Sequence, residues 1–243
     1  MRLSLLDSLR GITIIEMLVF HIFYDLNVVY GANTDWPFFS SVHYWQQQIL
    51  LGFIFVSGMS FNLMSASKRL TNGIKLLVLG GVITLATTIY MPTESIYYGT
   101  LTFLGLALLL SYALEKKHLL TDFSVKAGLL ACLLCFFITY KVQSGIIAVA
   151  GIEIGRWPNW LYEYNFALLG FPGDTFLSAD YVPLLPHIFM YWLGYFAFRY
   201  LAKQNPQSLV LGDCRVLKCL GKHSLAIYLL HQPLFLALLS LFR

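Results

Sequence analysis

The chain reads as an all-α, polytopic membrane protein: a single domain, residues 1–243, with about seven transmembrane helices and a cytoplasmic N-terminus. Three observations predict this. First, 58% of the 243 residues are hydrophobic and 12% charged, against roughly 45–50% and 25% in soluble chains. Second, a mean hydropathy of +0.70 with 19 Phe and 15 Tyr gives more apolar surface than a globule of this length buries, so the bilayer is its solvent. Third, the apolar residues fall in stretches of about 20, the number a helix needs to cross the hydrocarbon core. Soluble enzyme folds and disorder are excluded, and four Cys are too few for a disulfide-stapled scaffold. No nucleotide-binding loop, zinc signature or internal repeat is present, so neither a metal nor a nucleic acid is expected.

The spans are expected at residues 9–30, 45–65, 74–91, 98–114, 124–142, 183–202 and 224–242. Pro37, Pro92, Pro158, Pro172 and Pro206 fall in the connections, where a missing amide donor does least damage. The first span holds Arg10, Glu16, His21 and Asp25, and the second carries, about halfway down, the run Phe53-Ile54-Phe55-Val56-Ser57-Gly58-Met59-Ser60, whose small and hydroxylic groups allow either close helix packing or entry of a ligand. The third and fourth are short, about 17 to 18 residues, and a re-entrant pair is the alternative reading of them. In the fifth, Cys132 and Cys135 sit at helical spacing and read as packing residues. Asp180 and His187 flank the start of the sixth, and Lys222 and His223 precede the seventh, which contains Tyr228 and His231. Residues 143–182 form the one sizeable extramembrane connection, rich in Trp and Tyr, either an interfacial belt or a cover over the outer mouth.

Orientation follows from the cations. Thirteen of the sixteen Lys and Arg fall in alternate connections on one side, among them Arg2, Arg10, Lys68, Arg69, Lys218 and Lys222; Lys141, Arg156 and Arg243 fall opposite. Translocating cationic loops is disfavoured, which puts the N-terminus in the cytoplasm and the C-terminus outside. Arg2 before an apolar run resembles a signal peptide, but Asp7, Arg10 and Glu16 interrupt the run.

A charge in mid-bilayer costs several kcal/mol, so each ionisable residue in a span is a functional candidate. Eleven positions bring His21 to within about 20° of Arg10 and about 16 Å above it on a helix. Asp7 and Asp25 lie within about 60° of that stripe, and Glu16 points away. Arg10 snorkelling to the headgroups and His21 bonding a neighbour helix is the plain alternative. Asp25, one turn beyond His21, can accept its second N–H and raise its basicity, the arrangement a general base needs. His187 is expected near the level of His21. His231, about 10 Å in from the cytoplasmic face, is expected too deep to meet His21 and to face the Arg10 end instead.

Taken together, Arg2-Leu3-Ser4-Leu5-Leu6-Asp7-Ser8-Leu9-Arg10-Gly11 before His21 and Asp25, Phe55-Val56-Ser57-Gly58, and Asp180-Tyr181 before Pro183-Leu184-Leu185-Pro186 carry a likeness. The chain resembles the heparan-alpha-glucosaminide N-acetyltransferase catalytic-domain family and its small bacterial members. The Arg10–His21 spacing and the Ser224, Tyr228, His231 pattern are also similar to family-three membrane acyltransferases. The likeness implies Arg10 and His21 as the central pair, with Ser57 and His231 near the acyl-donor path. Longer members carry an Asn where His21 stands, so acyl transfer as a class is implied more firmly than any one substrate.

The function expected is transfer of an acetyl or short acyl group from cytosolic acetyl-CoA, or another acyl-CoA, to an amine or hydroxyl of a polar, sugar-like acceptor outside. His21 and Asp25, with Arg10, would be catalytic. Arg10, Ser57, Lys222 and His231 would meet the acyl-CoA, and Asp180 and His187 the acceptor. A covalent acyl-imidazole on His21 is an open variant. The expected location is a bacterial inner membrane. A proton-coupled transporter or flippase using the same polar residues as a relay is the alternative, with a structural or regulatory seven-span protein third.

Overall fold

A computed structural model describes residues 3–149, 152–204 and 214–241; Arg2, Pro206 and Arg243 lie outside them. Each of the seven apolar segments is a helix. In chain order they are α1 (Ser4–Tyr24), α2 (Ser40–Phe61), α3 (Ala66–Tyr90), α4 (Thr100–Lys116), α5 (Val125–Thr139), α7 (Leu184–Gln204) and α9 (Ser224–Ser240). Two short helices join them, α6 (Trp160–Glu163) and α8 (Arg215–Lys222). The all-α expectation needs one correction. Within the 143–182 connection, β1 (Ile146–Val149) and β2 (Ile152–Arg156) pair antiparallel, with an irregularity at Ile147/Ala148. Isoleucine and valine favour a pleated ribbon, and a hydropathy reading does not detect so short a one.

Among the described residues, two helical stretches are long and apolar enough to cross a membrane, Ala66–Tyr90 and Val125–Ser144. The pair α8 and α9, bent by 79° at its break, is a third. α4 and α9 stop at 17 residues each, and α1 carries Asp7, Arg10 and Glu16 among its apolar positions. The third segment is longer than expected. Its 25 residues, about 37 Å of helix, start eight positions before residue 74 because Ser65 precedes an uninterrupted helical run, so α3 is not a short re-entrant arm.

The chain forms two compact units. The first comprises Met1–Val56 and Leu201–Arg243. In it α8 lies against the start of α1 at backbone distance: a Cβ at Gly11 would collide with the Leu217 carbonyl, and one at Gly221 with that of Asp7. Glycine at both crossings is what permits the approach. Phe20, Val42 and Ile49 form a core there, covered by Met17, Tyr24, Trp36 and Trp45.

The second unit is Ser57–Tyr200. α3 and α4 pack as a hairpin in which Gly73, Gly80 and Gly105 admit Leu109, Thr102 and Leu77. Polar side chains bond across its helices: Trp192 donates to Ser111 at 2.9 Å, and Asn62 to the Tyr195 carbonyl at 3.2 Å. Leu185 is extended, as a residue before proline must be, and α7 runs regularly beyond it.

Candidate active site

α1 runs from a cationic end to a buried acidic one. Arg10 is half-buried and its guanidinium is ion-paired to Asp7 one turn earlier, at 2.9 Å. This is the stripe that helical spacing predicts. Glu16, expected to point away, receives a hydrogen bond from Gln48 of α2 at 3.2 Å. At Asp25 the helix widens into a π turn, Asp25–Val29, closed by the Tyr30 amide on the Asp25 carbonyl at 2.9 Å. Such turns concentrate at functional positions in helices.

His231 stands beside His21, with ring centroids 4.7 Å apart and planes inclined by 56°. This corrects the sequence expectation that His231 lies too deep to meet His21. That depth is counted from Ser224, the point where the last span is expected to leave the cytoplasmic face. The chain instead bends by 79° between α8 and α9, and α8 turns aside to pack on the start of α1.

The rings differ in their bonding. The His231 Nδ1 lies 2.6 Å from the Tyr228 carbonyl, and since a carbonyl only accepts, Nδ1 is the protonated nitrogen. In the neutral ring that leaves the lone pair on Nε2. His231 is 7% exposed and is bordered by the rings of Tyr228 and Phe235. His21 Nδ1 is buried with no hydrogen-bond partner among the described residues. The Phe20 ring meets its imidazole edge-on.

Asp25 is fully buried, 0% exposed. It does not hydrogen-bond His21. Its Oδ1 accepts from the side-chain amide of Gln232 at 3.3 Å, and its Oδ2 has no partner. Gln232 is the residue that sequence reasoning missed. The signal was present, because His231-Gln232 is the one polar pair within Leu229–Leu239 of the last apolar segment, but an uncharged amide does not stand out among ionisable groups.

The remaining candidates are placed as follows. Lys222 is exposed at the end of α8. Ser57 is half-buried on α2, next to Gly58, whose missing Cβ admits the Tyr191 backbone of α7; close helix packing, one of the two readings of that run, is thus observed. The Asp180 carboxylate accepts from the amide and hydroxyl of Thr100, both at 3.2 Å, which caps the start of α4. His187 is buried, with Nδ1 donating to the Pro183 carbonyl at 2.9 Å. In the aromatic connection, burial pushes the Tyr181 phenol up from its ordinary value, helped by Tyr98 and Tyr162, and its hydroxyl donates to the Ala167 carbonyl. Arg69, counted in the sequence among the cations of the cytoplasmic side, is ion-paired to Glu115 beneath the Phe61 ring. Among the described residues, no group of three or more His, Cys, Asp or Glu could hold a metal ion.

The site is thus a buried pair of imidazoles on α1 and α9, one with its tautomer fixed and the other one turn from a buried carboxylate, in a mostly helical protein that has helices apolar enough to cross a membrane. The family model described as heparan-alpha-glucosaminide N-acetyltransferase, catalytic, matches residues 2–233, and the chain belongs to that family. Membership makes it a transferase, of a family whose activity is acetyl transfer. No curated protein and no solved structure matches the chain.

Proposed function

We propose that this protein is a multi-pass membrane acetyltransferase that takes an acetyl or short acyl group from cytosolic acyl-CoA. It passes the group to an amine or hydroxyl of a polar acceptor, a saccharide in the family's own name, on the outer side of a bacterial inner membrane. The observation that carries this is the His21–His231 contact at 4.7 Å inside an apolar helical frame. Two imidazoles in bilayer-type surroundings are costly unless they serve proton transfer, and acyl transfer to an O–H or N–H requires a base.

In this reading all seven apolar helices cross the membrane, with the N-terminus inside, as the Lys and Arg distribution favours. Arg10 and Lys222, both in the first compact unit, would hold phosphates of the acyl-CoA at the cytoplasmic end. Ser57 is assigned to the path of its acyl arm. The buried acceptor atoms left unpartnered, His21 Nδ1 and Asp25 Oδ2, suit a substrate that brings hydrogen-bond donors. Asp180 and His187 are assigned to the acceptor, each side chain held by its own bond, to Thr100 and to the Pro183 carbonyl.

The reaction balances simply. The histidine pair removes the acceptor proton, the freed electron pair attacks the thioester carbonyl, and the C–S bond breaks as the proton passes to the departing sulfur. Purified protein in lipid, given labelled acetyl-CoA and an amino sugar, should transfer label, and His21→Ala should lower the rate at least a hundredfold. Full transfer by His21→Ala would eliminate this mechanism. Acceptor movement without thioester consumption would favour a transporter.

A further inference from the structure

We propose that Gln232 is a positioning residue for the histidine pair, clamping one oxygen of Asp25 so that the other is aimed to receive the N–H of a protonated His21. This rests on the transferase reading for its role in turnover, although the clamp itself is observed.

Three buried atoms carry the inference. Asp25 Oδ2, His21 Nδ1 and Gln232 Oε1 each lack a hydrogen-bond partner among the described residues. Native proteins seldom leave buried polar groups unpaired, and each such group calls for an explanation. Asp25 and His21 lie four residues apart, the spacing that brings side chains together on a helix. The two atoms are not hydrogen-bonded to each other, and a neutral imidazole offers Nδ1 as a donor in only one of its tautomers. A proton changes that. The imidazolium donates from both nitrogens, and Nδ1–H then has Asp25 Oδ2 as its acceptor. The unpaired atoms therefore mark where the proton taken from the acceptor rests until the departing sulfur claims it.

Gln232 makes this geometry reproducible. Its amide nitrogen, 3.3 Å from Oδ1, is the only hydrogen-bond donor to that carboxylate among the described residues, and it comes from the helix that carries His231. One residue thus ties the carboxylate of α1 to the neighbour of the second imidazole. Without it the carboxylate is free to rotate about its own bond, and Oδ2 is no longer fixed.

The test is a double-mutant cycle on acetyl transfer in lipid. Gln232→Met keeps the chain length and loses the donor; kcat should fall about tenfold while KM for acetyl-CoA stays within about twofold. Gln232→Leu has neither donor nor acceptor at close to the same volume, and should lose as much; a role in packing alone would leave it active. In an Asp25→Asn background neither change should lower kcat further. Full kcat in Gln232→Leu, or losses that multiply in the double variants, would overturn the proposal. A second readout needs no turnover: the infrared carboxyl band of Asp25 should shift in Gln232→Met. An unmoved band overturns the clamp, whereas a shifted band in a protein that transfers no acetyl group overturns the transferase reading alone.

Discussion

Replacing His231 by phenylalanine separates the chemistry of the second imidazole from its packing. The ring contacts to Tyr228 and Phe235 survive in kind, while the nitrogen lone pair that faces away from the Tyr228 carbonyl disappears. Two losses follow, and they differ in size. The Tyr228 carbonyl gives up its side-chain donor, which destabilises the fold by about 1–3 kcal/mol and is read as a lower unfolding temperature in detergent. The base also goes. General base catalysis contributes about 10²- to 10⁴-fold, equivalent to about 3–5 kcal/mol of barrier. The assay is initial-rate transfer from labelled acetyl-CoA in lipid, with kcat and KM determined separately. The expected result is a kcat at least a hundredfold lower with KM for acetyl-CoA little changed, because this group acts on the transition state and not on donor binding. A His231→Phe protein that folds and keeps more than about a tenth of its rate would refute the pairing of the two histidines as one catalytic unit.

Two further outcomes are expected. Cys214 and Cys219 are exposed free thiols in the connection that the Lys and Arg distribution puts in the cytoplasm; a membrane-impermeant maleimide should label them in inverted vesicles and spare them in intact cells, and the reverse would invert the topology. The raised Tyr181 phenol means that the unfolded chain ionises first as pH climbs, so this residue's contribution to stability is complete below about pH 10 and declines above it. Thermal unfolding measured from about pH 8 to 11 should show that decline flattened in Tyr181→Phe; an unchanged slope would remove Tyr181 as its source.

The helices were legible in the sequence because bilayer-type hydropathy is written in long runs, and all seven runs are helical. The β1–β2 ribbon was not, since nine residues of strand inside an aromatic connection leave only a local trace. Within the site, the Arg10–Asp7 pairing was readable because both residues share one helix and the spacing alone sets it. The partners of His21 and Asp25 were not, since both come from α9, and the bend that brings α9 there sits at a His-Ser step with no proline or glycine at the break itself. Distance along a sequence measures depth only while the helix is straight. Asp180 was legible as a polar residue before a span, but its bonds to Thr100 at the start of α4 were not, because eighty positions separate the two in the chain.

The bonding of the two imidazoles assigns them unequal parts. His231 has its Nδ1 committed to a carbonyl that accepts at every stage of a reaction, so its tautomer never changes and Nε2 is the nitrogen that can exchange a proton. His21 has a buried nitrogen with no partner and a buried carboxylate one turn away, itself held on one oxygen only. A cation formed at His21 would have a compensating charge within its own helix, one turn away at Asp25. In the proposed transferase reading, His21 would therefore be the ring on which a proton rests, with His231 oriented beside it and its Nε2 lone pair available.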